Sequence, residues 1–392
     1  MTVTQSCDSL IAREVMVGTR DCFVMGFRTL RKAVVMAASV EPTFQRVRMA
    51  DVAKQARVSR TTAAKVLFNT GGSNTRVGAE TVKRVRRIAD EMGYQPHIAA
   101  QQLAGKPTRL IGVILDAKAP PQFTRMLETI EGVAADRNYR LLVGYVNGSL
   151  EQIEEYVKEF CGRGVEGAIC LAHTYPDFGH RIPPLFNGLP NTIFIHKPLS
   201  SDSVSYVTPD YEKVGYLGTW HLLKQGCRRI VLLRSQSRYE GMLDWKAGYQ
   251  RAMDESEHPY RPELVWHGPT LRLNRPRLVN RCLDDVLHLK PEAIFASNDE
   301  SALWVIRGLR DRGLRVPEDI AVLSGCRQTF GRAAVPSITA IDQRGRAVAK
   351  QAARAVCQMA EGDVRANRRV CGGIIVPPRL VIAESCGARN EK

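Results

Sequence analysis

One short stretch of the chain concentrates side chains that can read a nucleic acid. The candidates are Ser59, Arg60, Thr61, Thr62, Lys65 and Asn69. Arg60 and Lys65 carry hydrogen-bond donors that match the O6 and N7 acceptors of guanine, and Thr61 can meet a base edge or a thymine methyl group. The hydroxyl and amide side chains of the other three suit phosphate oxygens, which orient a protein on DNA without specifying sequence. Taken alone, each cationic residue also fits an ordinary solvated helix face.

The net charge of the chain, +16 over 392 residues, is unevenly distributed. Residues 43–109 contain 13 Lys and Arg against 4 Asp and Glu, a net charge of +9, whereas residues 110–392 contain 38 against 32, a net charge of +6. More than half of the excess therefore lies in about a sixth of the chain. A cationic segment this dense favours a polyanionic partner, because neutralised phosphates release condensed counterions.

Three short helices would position these side chains. The spacing of apolar residues predicts helices that begin near Arg48, at Arg60 and at Ala79, with a polar break over 69–74. The hydroxyl group of Ser59 can cap the second helix, which ends at Phe68, and Gly93 terminates the third. Three short helices with a tight first turn are typical of a helix-turn-helix module.

Beyond Arg109, short apolar runs alternate with amphipathic segments up to about residue 323. Strand and helix in strict turn predict right-handed βαβ units, with parallel sheets covered by helices on both faces. The chain from residue 110 onward spans about 280 residues, so two lobes are expected rather than one. Ligands of such sheets bind beyond the carboxyl ends of the strands, which places the site in the cleft between the lobes. The predicted fold class is α/β, with an all-α helix-turn-helix headpiece and a two-lobed body.

Several motifs occur in an order typical of one family of regulators. They are RMADVAKQARVSRTTAAKVL from Arg48, VGAET from Val77, MGYQP from Met92, QLAGK from Gln102, IGV from Ile111, AIFASNDESAL from Ala293, GLRVPEDI from Gly313 and PSIT from Pro336. With them the chain resembles the lactose-repressor (LacI/GalR) family over about residues 46–385. The resemblance implies a periplasmic-binding-protein-like body with parallel sheets. It also implies a transcriptional repressor whose operator affinity changes when a small molecule, a sugar or a sugar-derived metabolite, binds between the lobes.

The resemblance further implies a homodimer that binds a near-palindromic operator in double-stranded DNA. The helix from Arg60 would enter the major groove, and a hinge helix near 98–104 would lie in the minor groove. Leu103 matches the family's apolar wedge, which is pushed between base steps to kink the duplex, although alone it would be assigned to packing in the hinge. Two features depart from the family pattern. Arg57 occupies a turn position that usually holds Gly, and the loop over 70–76 is longer than in the lactose repressor.

The same resemblance selects residues for the effector site. They are Asp116, Phe123, Trp245, Asn298, Asp299 and Arg327. Trp245 stands where sugar-binding members carry Arg, and Cys326-Arg327 stands where they carry Asp. The site thus loses a carboxylate and gains a cation, which favours an acidic or aromatic ligand over a neutral sugar.

Several residues near the expected effector site have a structural alternative. Phe123 fits a core position on its helix as well as a stacking position. Asn298 and Asp299 fit the cap of the helix that follows them. His173 and His196, which stand near strand ends, can line the cleft or be satisfied structural residues.

The expected organisation has four parts. Residues 1–45 form an extension that is disordered, unless translation begins at an internal methionine such as Met36 or Met49; 46–95 form the helix-turn-helix domain, 96–108 the hinge helix and linker, and 109–386 the effector-binding and dimerisation body. Lobe one would take about 109–207 and 343–362, and lobe two about 208–342 and 363–386.

Other function classes find little support in the sequence. The ten scattered cysteines form no CxxC pair and accompany no His cluster, so neither a metal nor a cofactor is expected, and such thiols are typical of the reducing cytoplasm. No GxGxxG after a strand, Walker loop, HExxH or GxSxG elbow occurs, so no enzymatic activity is expected. No apolar run reaches the roughly 18 residues of a membrane span, so no membrane partner is expected. The alternative is a solute-binding protein of the periplasmic type without a gene-regulatory role, against which the headpiece and the missing signal peptide count.

Overall fold

The computed structural model describes residues 47–68, 77–95, 106–199, 204–235, 240–268, 276–362 and 373–387. The chain separates into two units, Met1–Gly105 and Lys106–Lys392. The expectations for the extension over 1–45, Asn69, the loop over 70–76, the hinge helix over 98–104 and Leu103 lie outside the described residues.

The first unit contains three helices, α1 (Met49–Gln55), α2 (Arg60–Phe68) and α3 (Ala79–Glu91). Their inward faces share one small core, made of Val52, Ala53, Ala56, Ala63, Val66, Val85, Ile88 and Ala89. Val52, Ala63 and Val85 are fully buried, one from each helix. Helices of this length are marginal alone in water, so their stability depends on this shared apolar face.

Local capping determines where the first two helices begin. The backbone N–H of Arg48 donates to Asp51 Oδ2 at 2.8 Å, at the start of α1. The backbone N–H of Thr62 donates to Ser59 Oγ at 3.0 Å, as the sequence predicts for the start of α2. Each side chain satisfies a backbone donor that the helix itself leaves unpaired. The second helix consequently has the bounds expected from the sequence.

The turn between α1 and α2 is closed by two backbone hydrogen bonds. The N–H of Val58 donates to the carbonyl oxygen of Ala53 at 3.0 Å, and the N–H of Arg57 donates to that of Lys54 at 3.2 Å. This pattern, the Schellman motif, needs a left-handed residue directly after the helix, and Arg57 has φ = +50°. Its Cβ is crowded in that conformation, so Arg57 holds a strained position that favours Gly.

The second unit contains two six-stranded sheets, each with its own helices. The strands of lobe one are β1 (Leu110–Asp116), β2 (Arg140–Val146), β3 (Gly167–Cys170), β4 (Thr192–Ile195), β5 (Tyr206–Pro209) and β11 (Ile374–Val376). Its helices are α4 (Pro121–Ala135), α5 (Leu150–Gly162), the short α6 (Ile182–Leu185) and α11 (Gly345–Ala360). The strand order is β11-β5-β4-β3-β1-β2, and all neighbouring strands are parallel.

The strands of lobe two are β6 (Ile230–Ser235), β7 (Val265–Gly268), β8 (Ala293–Ala296), β9 (Ala321–Ser324), β10 (Thr339–Asp342) and β12 (Arg379–Val381). Its helices are α7 (Tyr211–Lys224), α8 (Glu240–Asp254), α9 (Pro276–Leu287) and α10 (Asp299–Arg310). The strand order is β12-β10-β9-β8-β6-β7, and β12 is antiparallel to β10 whereas the other pairs are parallel. Every residue of β8 and β9 is buried, as expected for central strands covered on both faces.

The chain passes between the lobes three times. The chain leaves one lobe for the other between β5 and α7, between β10 and α11, and between β11 and β12. The crossings therefore lie at 209–211, 342–345 and 376–379. The third crossing corrects the expected lobe bounds, which assigned all of 363–386 to lobe two. The strand β11 instead pairs with β5 in lobe one, with Ile374 opposite Val207, because that pairing satisfies the backbone groups at the edge of β5.

Candidate nucleic-acid interface and ligand cleft

One face of α2 carries the side chains expected to contact bases. At about 100° per residue, Arg60, Thr61 and Lys65 fall within about 140° of one another. Arg60 and Thr61 are exposed and Lys65 is half-buried, whereas Ala63 and Val66 on the other side of the helix are buried in the core. The structure thus brings the three predicted base-contacting residues together on one accessible face.

Ser59 and Thr62, expected to bind phosphates, are joined to each other. Their hydroxyl oxygens lie 2.8 Å apart, and Ser59 Oγ also accepts the backbone N–H of Thr62. Two hydroxyl groups contribute two protons, and the bond between them uses one. The other remains available to a phosphate oxygen, so capping the helix does not remove the donor that the sequence analysis assigns to this pair.

A cavity of about 160 Å³, here called the inner cavity, lies between the two lobes. It is lined by Gln122, Phe123, Met126, Thr174, His196, Pro209, Tyr211, Cys326, Arg327, Asp342, Gln343, Gly345 and Val348. His196 directly follows β4 of lobe one, and Cys326 lies two residues after β9 of lobe two. The cavity is therefore at the carboxyl ends of parallel strands, where the sequence predicts the ligand site.

Three rings form one wall of the inner cavity. The ring centroids of Phe123 and His196 lie 5.9 Å apart at 64°, and those of His196 and Tyr211 lie 5.8 Å apart at 51°. The Tyr211 hydroxyl is 3.1 Å from His196 Nδ1. Burial, followed by the nearby His173, lowers the pKa of His196 to about 3, so the imidazole is neutral near pH 7. The wall suits a flat or apolar part of a ligand.

A larger cavity of about 550 Å³, here called the outer chamber, adjoins the inner cavity. The two share Gln122, Met126, Arg327, Asp342 and Gly345, and the outer chamber is also lined by Pro121, Arg125, Gln328, Thr329, Phe330, Arg332, Arg344, Arg346, Ala347 and Arg379. Asp342 is the one carboxylate that the described residues contribute to this lining. It accepts from Arg379 Nε at 3.0 Å and from the backbone N–H of Arg344 at 2.8 Å. The two cavities together have a size usual for small-molecule sites.

A hydrogen bond joins the lobes across the cleft. Gln328 Nε2, in the loop after β9, donates to Gln122 Oε1, at the start of α4, at 2.7 Å. Both residues line the outer chamber. The bond therefore connects the walls that a bound ligand would touch.

Of the six predicted effector residues, Phe123 and Arg327 line the cleft. Asp116 is not among the residues that line these two cavities, and its carboxylate accepts from the Tyr175 hydroxyl and, at 2.6 Å, from the backbone N–H of Lys118. The expectation for Trp245 is corrected, because this side chain is only 1% exposed. It packs in the core of lobe two, edge-on to Phe295 at 5.1 Å, since a large apolar ring gains most from burial.

Asn298 and Asp299 are also absent from the lining of both cavities. Asn298 takes the alternative role foreseen for it and caps α10, where its Oδ1 accepts the backbone N–H of Ser301 at 2.8 Å. Asp299 is 1% exposed, and its Oδ2 accepts the backbone N–H of Gln328 at 2.6 Å. Burial raises the pKa of Asp299 to about 6. Asp299 therefore supports the cleft loop from beneath.

His173 has the structural role that the sequence left open. Its Nε2 lies 2.6 Å from the carbonyl oxygen of Ile195, and because a carbonyl only accepts, this nitrogen carries the proton. Burial lowers the pKa of His173 to about 4. Of the two histidines considered, His196 is the one that lines the cleft.

Several residues that line the cleft were not predicted from the sequence. They are Gln122, Arg125, Thr174, Tyr211, Gln328, Arg332, Asp342, Gln343, Arg344, Arg346 and Arg379. The only local signal is the repetition of Arg over 344–346, which alone indicates a solvated surface. Within the described ranges, no group of three or more His, Cys, Asp or Glu side chains is arranged to hold a metal ion. Among the helices that the structure describes, none is long and apolar enough to cross a membrane.

Comparison with family models relates each unit to known proteins. Residues 48–97 match the model of bacterial regulatory proteins of the lacI family, and residues 219–386 match a periplasmic binding protein-like domain. The chain carries a LacI-family DNA-binding domain followed by a periplasmic-binding-protein-like domain. It is a LacI-family DNA-binding regulator with an effector-binding body, and the lacI match does not support the alternative of a solute-binding protein without a regulatory role.

The relatives that match this chain include a transcriptional repressor and a catabolite control protein. The HTH-type transcriptional repressor PurR of Aliivibrio fischeri (strain ATCC 700601 / ES114) is 29% identical over 306 residues, which cover 77% of this chain and 88% of PurR. Catabolite control protein A of Priestia megaterium is 26% identical over 295 residues, covering 75% of this chain and 86% of that protein. Among solved structures, a lac repressor dimer bound to operator and the anti-inducer ONPF matches with a TM-score of 0.72 at 23% identity, over 88% of this chain and all of that chain. The structural match supports the same fold.

Proposed function

We propose that this LacI-family protein is a homodimeric repressor that binds a near-palindromic operator through α2. Arg60, Thr61 and Lys65 contact base edges in the major groove, and Ser59 and Thr62 contact phosphates. The observation that carries the proposal is the accessible face of α2, which presents Arg60, Thr61 and Lys65, whereas Ala63 and Val66 are buried in the core. Two copies of this face, related by a two-fold axis, fit a site with two half-sites. The proposal places the protein in the cytoplasm with the DNA.

The test is selection of bound duplexes from a random pool with the full-length protein. We expect enrichment of a motif with two related half-sites. The variant Lys65→Ala is expected to relax preference at one base pair of each half-site, by about 1–3 kcal/mol of discrimination if Lys65 contacts that base. An unchanged motif would remove Lys65 from the set of base-reading residues. Failure of the wild type to enrich any motif would refute the proposal.

The matched control is Arg84→Ala on α3. Arg84 is exposed like Arg60 and carries the same charge, but it lies on another helix of the headpiece. Loss of this charge is expected to weaken binding to all duplexes alike, with less dependence on salt, and to leave the motif unchanged. A change of motif in Arg84→Ala would mean that α2 is not the reading helix.

The proposal also assigns a small-molecule effector to the cleft between the lobes. The inner cavity and outer chamber are bounded by the three crossings, at which any change in lobe orientation must occur. A ligand that contacts both lobes favours one orientation by its differential affinity, and operator affinity changes with that orientation. The aromatic wall and Arg327 favour an acidic or aromatic effector over a neutral sugar. Thermal-shift screening of sugars against sugar acids tests this preference, and selective stabilisation by a neutral sugar would contradict it.

A further inference from the structure

Among the described residues, six arginines and one carboxylate line the outer chamber. The arginines are Arg125, Arg327, Arg332, Arg344, Arg346 and Arg379. The carboxylate, Asp342, is already ion-paired with Arg379, whose Nη2 lies 2.9 Å from Asp342 Oδ2. For the other five arginines, the described residues provide no carboxylate within ion-pair distance. Five guanidinium groups thus line one cavity without an ion-pair partner in the described part of the chain.

Several arginines elsewhere in the body do have a carboxylate partner. Arg137, Arg229, Arg312 and Arg315 each reach a carboxylate within 3.0 Å. A surface arginine is ordinarily solvated or paired with one neighbour. Concentration of unpaired arginines on a concave surface instead produces a positive potential that attracts anions, because low-dielectric walls focus the field.

The arginines reach the outer chamber from both lobes. Arg125 on α4 and Arg346 on α11 belong to lobe one, whereas Arg327 and Arg332, which follow β9, belong to lobe two. Arg344 lies in a crossing, where it adopts φ = +55°. Like charges on facing lobes repel each other. An anion between them attracts the guanidinium groups of both lobes and so outweighs that repulsion. A bound anion would therefore hold the two lobes together.

Two further features suit an anionic ligand that also carries hydrogen-bond donors. The outer chamber is lined by first-turn residues of both α4 and α11, the helix ends that carry partial positive charge. Gln328 is only 8% exposed, and its Oε1 has no hydrogen-bond partner among the described residues. This acceptor lies beside the guanidinium groups and would pair with a hydroxyl or amine group of the ligand.

We propose that the outer chamber binds the phosphate group of a small phosphorylated molecule, whose remaining part extends into the inner cavity against Phe123. A phosphate monoester is favoured over a carboxylate because it offers three acceptor oxygens and close to two negative charges. One arginine satisfies a carboxylate in a bidentate pair, whereas five unpaired arginines match a group that accepts from several directions. This inference deepens the proposed function, since it names the chemical class of the effector, and it rests on the assignment of the effector to this cleft.

The experiment measures binding of inorganic pyrophosphate to the full-length protein by calorimetry and thermal shift, at constant ionic strength. Sulfate and citrate serve as comparison anions. We expect saturable binding of pyrophosphate to one site per chain, with weaker binding of citrate and sulfate. The double variant Arg327→Gln/Arg346→Gln, which removes one guanidinium from each lobe, is expected to weaken pyrophosphate binding by about tenfold or more.

Two single variants control for general charge effects. Arg277→Gln removes an exposed arginine from α9, away from the outer chamber, and Arg84→Gln removes one from the headpiece, whose cationic surface also attracts anions. Both are expected to bind pyrophosphate like the wild type. The double variant is expected to melt close to the wild type without ligand, because it removes no described ion pair and the repulsion that it relieves offsets the loss of the attraction between Arg327 and Asp299. This melting temperature distinguishes loss of the site from loss of the fold.

Equal pyrophosphate binding by the wild type and the double variant would overturn the inference. Binding of sulfate and pyrophosphate with equal affinity would overturn it as well, since that is general screening. Tighter binding of citrate than of pyrophosphate would indicate a polycarboxylate ligand and would contradict the proposed class of phosphorylated molecules. Selection of duplexes with the same preparation separates the two proposals. If a DNA motif is enriched but pyrophosphate does not bind, only the anion inference is refuted. If pyrophosphate binds but no DNA motif is enriched, only the operator proposal is refuted.

Discussion

Replacement of Arg57 by Gly is expected to stabilise the headpiece, although it removes a side chain at the centre of the helix-turn-helix. Arg57 is exposed and adopts φ = +50°. The left-handed conformation costs a non-glycine residue about 1–2 kcal/mol. The greater conformational freedom of Gly in the unfolded chain offsets about 0.4–1 kcal/mol of that gain. The two backbone hydrogen bonds of the turn do not depend on the side chain, so the net stabilisation is about 0.5–1 kcal/mol.

Hydrogen–deuterium exchange of the headpiece amides in the full-length protein measures this difference. Exchange through opening of the headpiece is expected to slow by about two- to fivefold in Arg57→Gly. Arg84→Gly is the matched control, since it also replaces an exposed arginine by Gly but in the interior of α3. There Gly destabilises the helix by about 0.8–1 kcal/mol, so exchange should accelerate. Exchange that is unchanged or faster in Arg57→Gly would refute the assignment of strain to this turn.

Two further predictions concern the body. The folded state raises the pKa of Asp299 from 3.8 to about 6, so it binds more protons than the unfolded state between these values, and the free energy of unfolding should fall as pH rises through that window. Asp299→Asn should remove this change, which totals about 3 kcal/mol over the window, and urea titrations at several pH values would show the difference. An equal dependence on pH in both proteins would contradict the raised pKa. Trp245→Ala should destabilise lobe two by about 3–5 kcal/mol in urea unfolding, and pyrophosphate should still bind at one site per chain. A decrease of less than about 1 kcal/mol in the free energy of unfolding would contradict the place of Trp245 in the core.

The sequence predicts best those elements whose signals are local. The bounds of α2 follow from the cap at Ser59 and from the spacing of its apolar residues, and both signals lie within ten residues. The short strands β10, β11 and β12 have only three or four residues, which is too few to show a period of two. The partner strand determines each of them, as the pairing of β11 with β5 shows. A segment such as 374–376 can therefore be assigned to a lobe only in three dimensions.

The same distinction explains which site residues were predicted. Arg60, Thr61 and Lys65 belong to one helix, so their common face follows from helical geometry alone. The lining of the outer chamber comes from four segments between Pro121 and Arg379, and no spacing in the sequence relates them. Trp245 illustrates a second difficulty. Its position in the family pattern indicates contact with a ligand, but the large apolar side chain that stands there is buried in the core of lobe two. Substitution at an inherited binding position can therefore convert that position into core.

Pyrophosphate and DNA binding should be linked if the anion acts through the orientation of the lobes. Saturating pyrophosphate should change the Kd for the selected duplex by a finite factor, typically about 5- to 150-fold for allosteric coupling, and saturating duplex must change the Kd for pyrophosphate by the same factor. Direct competition at the cationic headpiece predicts a different curve, in which the apparent Kd for DNA rises with pyrophosphate without reaching a plateau. Fluorescence anisotropy over a wide range of pyrophosphate concentrations distinguishes the two. A plateau that requires both Arg327 and Arg346 would place the coupling in the cleft, whereas an unlimited rise would place it on the surface of α2.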